Sequence, residues 1–122
     1  MTYLYRAFTQ EELAKIYRRS DVCLVTPLRD GMNLVAKEYV ASQTAANPGV
    51  LMLSKFCGAA DTMQEAMIVN PYDIEGTARA LYEALHMPQK ERREQWEGLM
   101  KDVRKHTAKA WCDTFLDSLE QD

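Results

Sequence analysis

Only three cysteines and two histidines occur in the 122 residues, and what they fail to form narrows the field. Cys23, Cys57 and Cys112 are odd in number and no two have CxxC spacing, which argues against both a disulfide framework and a zinc site. Cys23 lies in an apolar run and Cys112 beside apolar helix positions, so both read as small buried hydrophobes. Cys57 sits in the loop-like segment FCGAAD, where a catalytic thiol is the minor reading. His86 and His106 are isolated from each other and each falls near the end of a helical stretch, a place that suits helix C-terminal electrostatics better than catalysis. No cluster of ligands suggests a metal.

Excess positive charge is also missing. The formal net charge is -3, which supplies no general electrostatic reason to expect nucleic acid or an anionic membrane as partner. No apolar run approaches the roughly 18 residues that suggest a membrane span. The N-terminal stretch MTYLYRAFTQEELAK has no apolar h-region, so no signal peptide is expected and a cytoplasmic location is. Internal repeats, low-complexity segments and linkers are absent, and the length suits a single domain over residues 1–122.

What remains is a clear alternation of apolar patterns. Tyr3-Leu4-Tyr5 is a short strand candidate. Thr9 and Glu12 have capping-box spacing, with Phe8 placed to staple onto Leu13, and Leu13, Ile16 and Tyr17 follow at helical intervals. Residues 22–26 form an apolar, β-branched run ended by Pro27, the pattern of a strand buried on both faces of a parallel sheet. Asn33 is a plausible cap for a helix over residues 34–43, and Asn47-Pro48-Gly49 is turn chemistry before a second buried strand at residues 50–53. A loop with a short helix is expected over residues 56–65 and a third strand over residues 67–69. Asp73 caps a helix whose apolar stripe reads Ile74, Ala78, Leu81 and Leu85. Pro88 opens another helix, with Trp96, Leu99, Met100 and Val103 on one face, and a last helix shows Trp111, Phe115, Leu116 and Leu119. The two tryptophans read as packing residues before sugar platforms. The alternation predicts an α/β fold with a parallel sheet, whose ligands bind beyond the carboxyl ends of the strands.

The segment after the strand at residues 22–26 therefore carries the most chemistry. A helix N-terminus there offers unpaired N–H groups and partial positive charge, which suits a phosphate. Gly31 permits close approach of a ligand, Asp30 sets a carboxylate at the rim, and Glu38 lies on the helical face of Leu34, one turn deeper. A carboxylate at that depth could hold a diol such as a ribose. A purely structural reading competes on spacing alone: Asp30 and Asn33 cap a helix and Glu38 is solvated.

The stretch DVCLVTPLRDGMNLVAKEYVA, residues 21–41, closely resembles the most characteristic segment of the trehalose-6-phosphate synthases. The resemblance runs on through PGVLMLSKFCGAA at residues 48–60, through residues 66–76, and through Ala84-Leu85-His86-Met87-Pro88 and Glu91-Arg92-Arg93. It covers nearly the whole chain. The RDGMN loop is its specific element, since the wider superfamily carries a glutamate-containing loop there. One departure is Cys57, where the family pattern has alanine.

These enzymes are retaining glycosyltransferases built from two Rossmann-like domains, the GT-B arrangement. The resemblance implies a three-layer Rossmann-like partial domain with parallel strands and C-terminal helices, part of the C-terminal, nucleotide-sugar-binding half. It implies transfer of glucose from UDP-glucose to glucose 6-phosphate, with no cofactor and no metal. Asp30 is then the catalytic-site carboxylate binding hydroxyls of the donor glucose. The backbone of Gly31, Met32 and Asn33 faces the sugar and nearest phosphate, Leu34 and Val35 meet the diphosphate, and Glu38 takes the ribose. The backbone near Phe8 is expected at the uracil edge. Transfer would proceed on the front face, the departing diphosphate helping to deprotonate the attacking hydroxyl, so that the protein positions groups and stabilises charge.

The acceptor domain, the first two strands of the donor domain and the basic clamp on the diphosphate are not in the sequence, so catalysis by this chain alone is not expected. In a 3-2-1-4-5-6 sheet, residues 22–26 would be strand four without its usual neighbour. An open edge there predicts self-association, element swapping or a non-family strand order. Two readings stay open beside the first: the donor domain of a sister transferase such as glucosylglycerol-phosphate synthase, and a non-catalytic binding or regulatory module. The residues do not separate UDP from ADP or GDP as the donor's carrier.

Overall fold

A computed structural model describes residues 9–26 and 34–106. Helix α1 spans Gln10–Arg19, strand β1 Val22–Val25, helix α2 Leu34–Ser42 and strand β2 Val50–Ser54. A short 3-10 turn at Gly58–Asp61 leads to strand β3 at Met67–Val69, and helices α3 (Ile74–Leu85) and α4 (Gln89–His106) complete the order. The expected strand at Tyr3–Tyr5 and the expected last helix with Trp111, Phe115, Leu116 and Leu119 lie outside the described residues.

The three strands are parallel in the order β1-β2-β3. Val22 pairs with Val50 and Leu53 with Ile68. Strand numbers four, five and six of the expected sheet would lie in that same order, so for the described strands the expectation of a non-family order is overturned. Each strand pairs with the next in sequence because a helix or turn connects them without crossing.

Side-chain alternation along β2 builds two cores. Leu51 and Leu53 join Val25, Ala36, Tyr39 and Val40 under α2, with Leu99, Met100 and Val103 of α4. Val50 and Met52 face the other way, onto Val69 and Ala84, with Ala80, Leu81 and Met87 packed alongside. The result is three layers: α1, α2 and α4 on one face of the sheet, α3 on the other. All five residues of β2 are buried.

Two expectations need correction. Strand β1 is not buried on both faces: Leu24, which shares the α3 face with Val22, is 46% exposed. Among the described strands β1 is an edge, and α3 covers the middle of the sheet rather than that side. Secondly, of the apolar stripe of α3 only Leu81 faces the sheet. Ile74 is 80% exposed and Leu85 58%, and Ala78 is also outside, whereas Ala80, Leu81 and Ala84 make the contact. Small alanines let the helix approach the strands closely, and a count of apolar positions gives them no precedence over isoleucine and leucine. A smaller difference concerns α1, where Ala14 is buried and Ile16 exposed.

Local chemistry explains the helix ends. Thr9 accepts from Glu12 N at 3.1 Å and Glu12 Oε1 accepts from Thr9 N at 3.2 Å, completing the capping box. Asp73 caps α3 by accepting from Gly76 N at 2.9 Å. At the other end of α3, His86 Nδ1 donates to Tyr82 O at 2.8 Å and its ring stacks on Tyr82, a capping role.

Candidate functional site

Helix α2 begins beyond the carboxyl end of β1, the place where ligands collect in parallel α/β sheets. Its first amides have no partner within the helix and its dipole is positive there. Leu34 opens the helix and Val35 follows in the first turn, 45% exposed. Asp30, Gly31, Met32 and Asn33, the expected sugar and phosphate contacts, lie outside the described residues, as does Phe8.

Glu38 sits one turn further along and is half-buried, against the reading that it is a solvated surface group. Its Oε2 accepts a hydrogen bond from the Tyr17 hydroxyl of α1 at 3.4 Å. Among the described residues Oε1 has no hydrogen-bond partner. Burial pushes the carboxyl above the ordinary glutamate value, and the bond from Tyr17 pulls it partly back. Tyr17 is pushed up to about 12, by burial first and then by the neighbouring charges of Glu38 and Cys23.

The ground beneath this pair is rigid. Tyr39, 1% exposed, meets the Tyr17 ring edge to face at 6.1 Å and donates its hydroxyl to Ser20 O at 2.8 Å. Arg18 Nε donates to Ser42 O at 3.1 Å. Gln43 Nε2 donates to Tyr17 O at 2.6 Å, while its Oε1 accepts from Gly49 N at 2.9 Å. These bonds join α1, α2 and the turn before β2 into one unit. Gly49 is required there by close approach, because a Cβ on it would overlap the Tyr39 hydroxyl.

The chain belongs to glycosyltransferase family 20. The family profile matches residues 1–121. Trehalose-6-phosphate synthase of Sinorhizobium fredii (strain NBRC 101917 / NGR234) is 53% identical over 119 residues, which make up 98% of this chain and 26% of that protein. The synthase of Sodalis glossinidius is 50% identical over 98% of the chain and 25% of its own length. The family-20 chain thus spans about a quarter of the curated relatives it matches.

Among solved structures, alpha,alpha-trehalose-phosphate synthase (UDP-forming) from Burkholderia xenovorans in complex with glucose-6-phosphate superposes with a TM-score of 0.85. It shares 48% identity over 96% of this chain and 26% of its own. An E. coli structure bound with UDP-2-fluoro glucose matches with the same TM-score of 0.85 and 51% identity over 98% of this chain and 27% of its own. The three-layer α/β fold is therefore that of the GT-B family-20 transferases.

The remaining residues singled out by sequence fall into place as packing groups. Cys57 is buried at 2% exposure inside the α2–α4 core. Burial pushes the Cys23 thiol up to about 11, away from thiolate chemistry. Cys112 lies outside the described residues. Trp96 packs on the same core and donates Nε1 to Val40 O at 3.0 Å. Among the described residues no group of His, Cys, Asp and Glu is arranged to hold a metal, and no helix is long and apolar enough to cross a membrane. Sequence reasoning missed Tyr17 as part of the site. Its spacing placed it in an apolar stripe, and only the packing of α1 on α2 brings its hydroxyl to a carboxylate 21 residues away.

Proposed function

We propose that this chain supplies the donor half-site of an alpha,alpha-trehalose-phosphate synthase (UDP-forming), a retaining glycosyltransferase that moves glucose from UDP-glucose to glucose 6-phosphate. The observation that carries the reading is Glu38: a half-buried carboxylate one turn inside a helix that starts at the ligand-binding end of the sheet, with one oxygen held and the other without a hydrogen-bond partner among the described residues. Likeness to proteins solved with UDP-2-fluoro glucose and with glucose-6-phosphate supports the same donor and acceptor.

In this reading Glu38 accepts the ribose hydroxyls, and the α2 N-terminus with Leu34 and Val35 takes the diphosphate. Gly31, Met32 and Asn33 line the path from phosphate to sugar, and Asp30 binds the glucose hydroxyls. The sugar is transferred on its front face with retention, no metal or other cofactor taking part. Glucose 6-phosphate binds the remainder of a longer, cytoplasmic protein, and this chain, as a fragment of the donor domain, is inactive alone. Its β1 edge and the exposed Leu24 support self-association when the chain is isolated.

Calorimetric titration of UDP and UDP-glucose into the chain tests the assignment. Saturable binding that disappears in Glu38→Ala is the expected result. A folded protein that binds neither nucleotide, or a Glu38→Ala variant that binds as well as the parent, refutes it.

A further inference from the structure

The Glu38 carboxylate stands on three rotatable bonds, and a carboxylate that must meet a ligand gives up that freedom either on folding or on binding. The Tyr17 hydroxyl settles which. Three of the hydrogen bonds that tie α1 and its C-cap Ser20 to α2 and the following Gln43 end on backbone carbonyls: Arg18 to Ser42, Gln43 to Tyr17 and Tyr39 to Ser20. The fourth, from Tyr17 to Glu38, ends on the functional side chain itself. Tyr17 is anchored independently of that bond, through its carbonyl on Gln43 and its ring on Tyr39 and the core. The hydroxyl is thus a fixed point, and the carboxylate is the mobile partner. At 3.4 Å the bond is long for O–H···O, enough to bias the carboxylate's rotamer while leaving its charge available to a ligand. Oε2 is the held atom, and Oε1 has no hydrogen-bond partner among the described residues.

We infer that Tyr17 is a positioning residue for donor binding: its hydroxyl pre-orients Glu38 so that the free oxygen receives the vicinal diol of a nucleoside diphosphate. The inference rests on the donor-site assignment of Glu38 and adds to it a residue that touches no ligand.

The test compares Tyr17→Phe with the parent chain, using UDP and 2′,3′-dideoxy-UDP, which lacks the diol. Phenylalanine keeps the ring and its packing, and circular dichroism checks that the variant is folded. UDP affinity should fall roughly three- to tenfold, the scale of one restrained side chain, while affinity for the dideoxy nucleotide stays unchanged. A carbon-13 NMR titration of Glu38 should show its pKa rising in Tyr17→Phe, because the bond that favours the charged form is gone. Equal weakening of both nucleotides, unchanged UDP affinity, or an unmoved Glu38 titration each overturns the positioning role. If UDP affinity is unchanged in Tyr17→Phe but lost in Glu38→Ala, the donor-site reading survives and the role of Tyr17 alone falls. If Glu38→Ala binds UDP normally, or the folded parent does not bind it, both fall together.

Discussion

Glu38 has two opposing influences on its proton, and the balance has a consequence for binding. Burial raises its pKa above the ordinary value, so the folded chain holds a proton there that the unfolded chain has already released. Stability on this account falls as pH rises through the interval above the ordinary glutamate value, and is independent of it at lower pH. A ligand diol needs the charged form, so acidification should weaken UDP binding from a higher pH than an unperturbed glutamate would require. Calorimetry from pH 7.5 downward checks this; in Glu38→Gln the pH dependence should flatten and the Tm relative to the parent should be better at neutral than at acid pH. The carboxylate itself was legible from its spacing to Leu34. Its half-buried setting and its tyrosine partner were not, because both come from α1, a separate helix whose docking no local pattern records.

At the level of elements, caps and turns were legible and facing directions were less so. Thr9, Glu12 and Asp73 act within four residues of themselves, and all three behave as their spacing predicts. The turn before β2 depends on Gly49, where a Cβ would meet Tyr39, Ser20 O and Asp21 O. Gly49→Ala should therefore cost about 1–3 kcal/mol, seen as a lower urea midpoint, and should loosen α1 from α2. Helix α3 gives the opposite lesson. Its large apolar residues Ile74 and Leu85 point outward while Ala80 and Ala84 meet the sheet. Ile74→Lys should accordingly change stability by within about 0.5 kcal/mol, whereas Ala84→Leu should destabilise by about 1–3 kcal/mol through overpacking. Thermal or urea unfolding of the two variants distinguishes this orientation from the one the stripe suggests.

For the whole molecule, the β1 side of the described sheet is the surface that governs the proposed association. Leu24 is 46% exposed on a strand that is an edge among the described residues, and such edges pair readily with other chains. Sedimentation velocity across a concentration series should show reversible association of the isolated chain, reduced in Leu24→Lys. A chain that stays monomeric at high concentration contradicts the proposed association.

The residue order by itself determined the α/β class, the positions of the three described strands and the caps at Thr9 and Asp73, because each depends on periodicity or on groups a few residues apart. Tertiary structure alone decided that Leu24 of β1 is left exposed while every residue of β2 is buried, that α3 presents its alanines to the sheet, and that Tyr17 meets Glu38. Those outcomes depend on which surfaces remain uncovered once helices from distant parts of the chain have packed, and on contacts between groups 20 or so residues apart that no local spacing encodes.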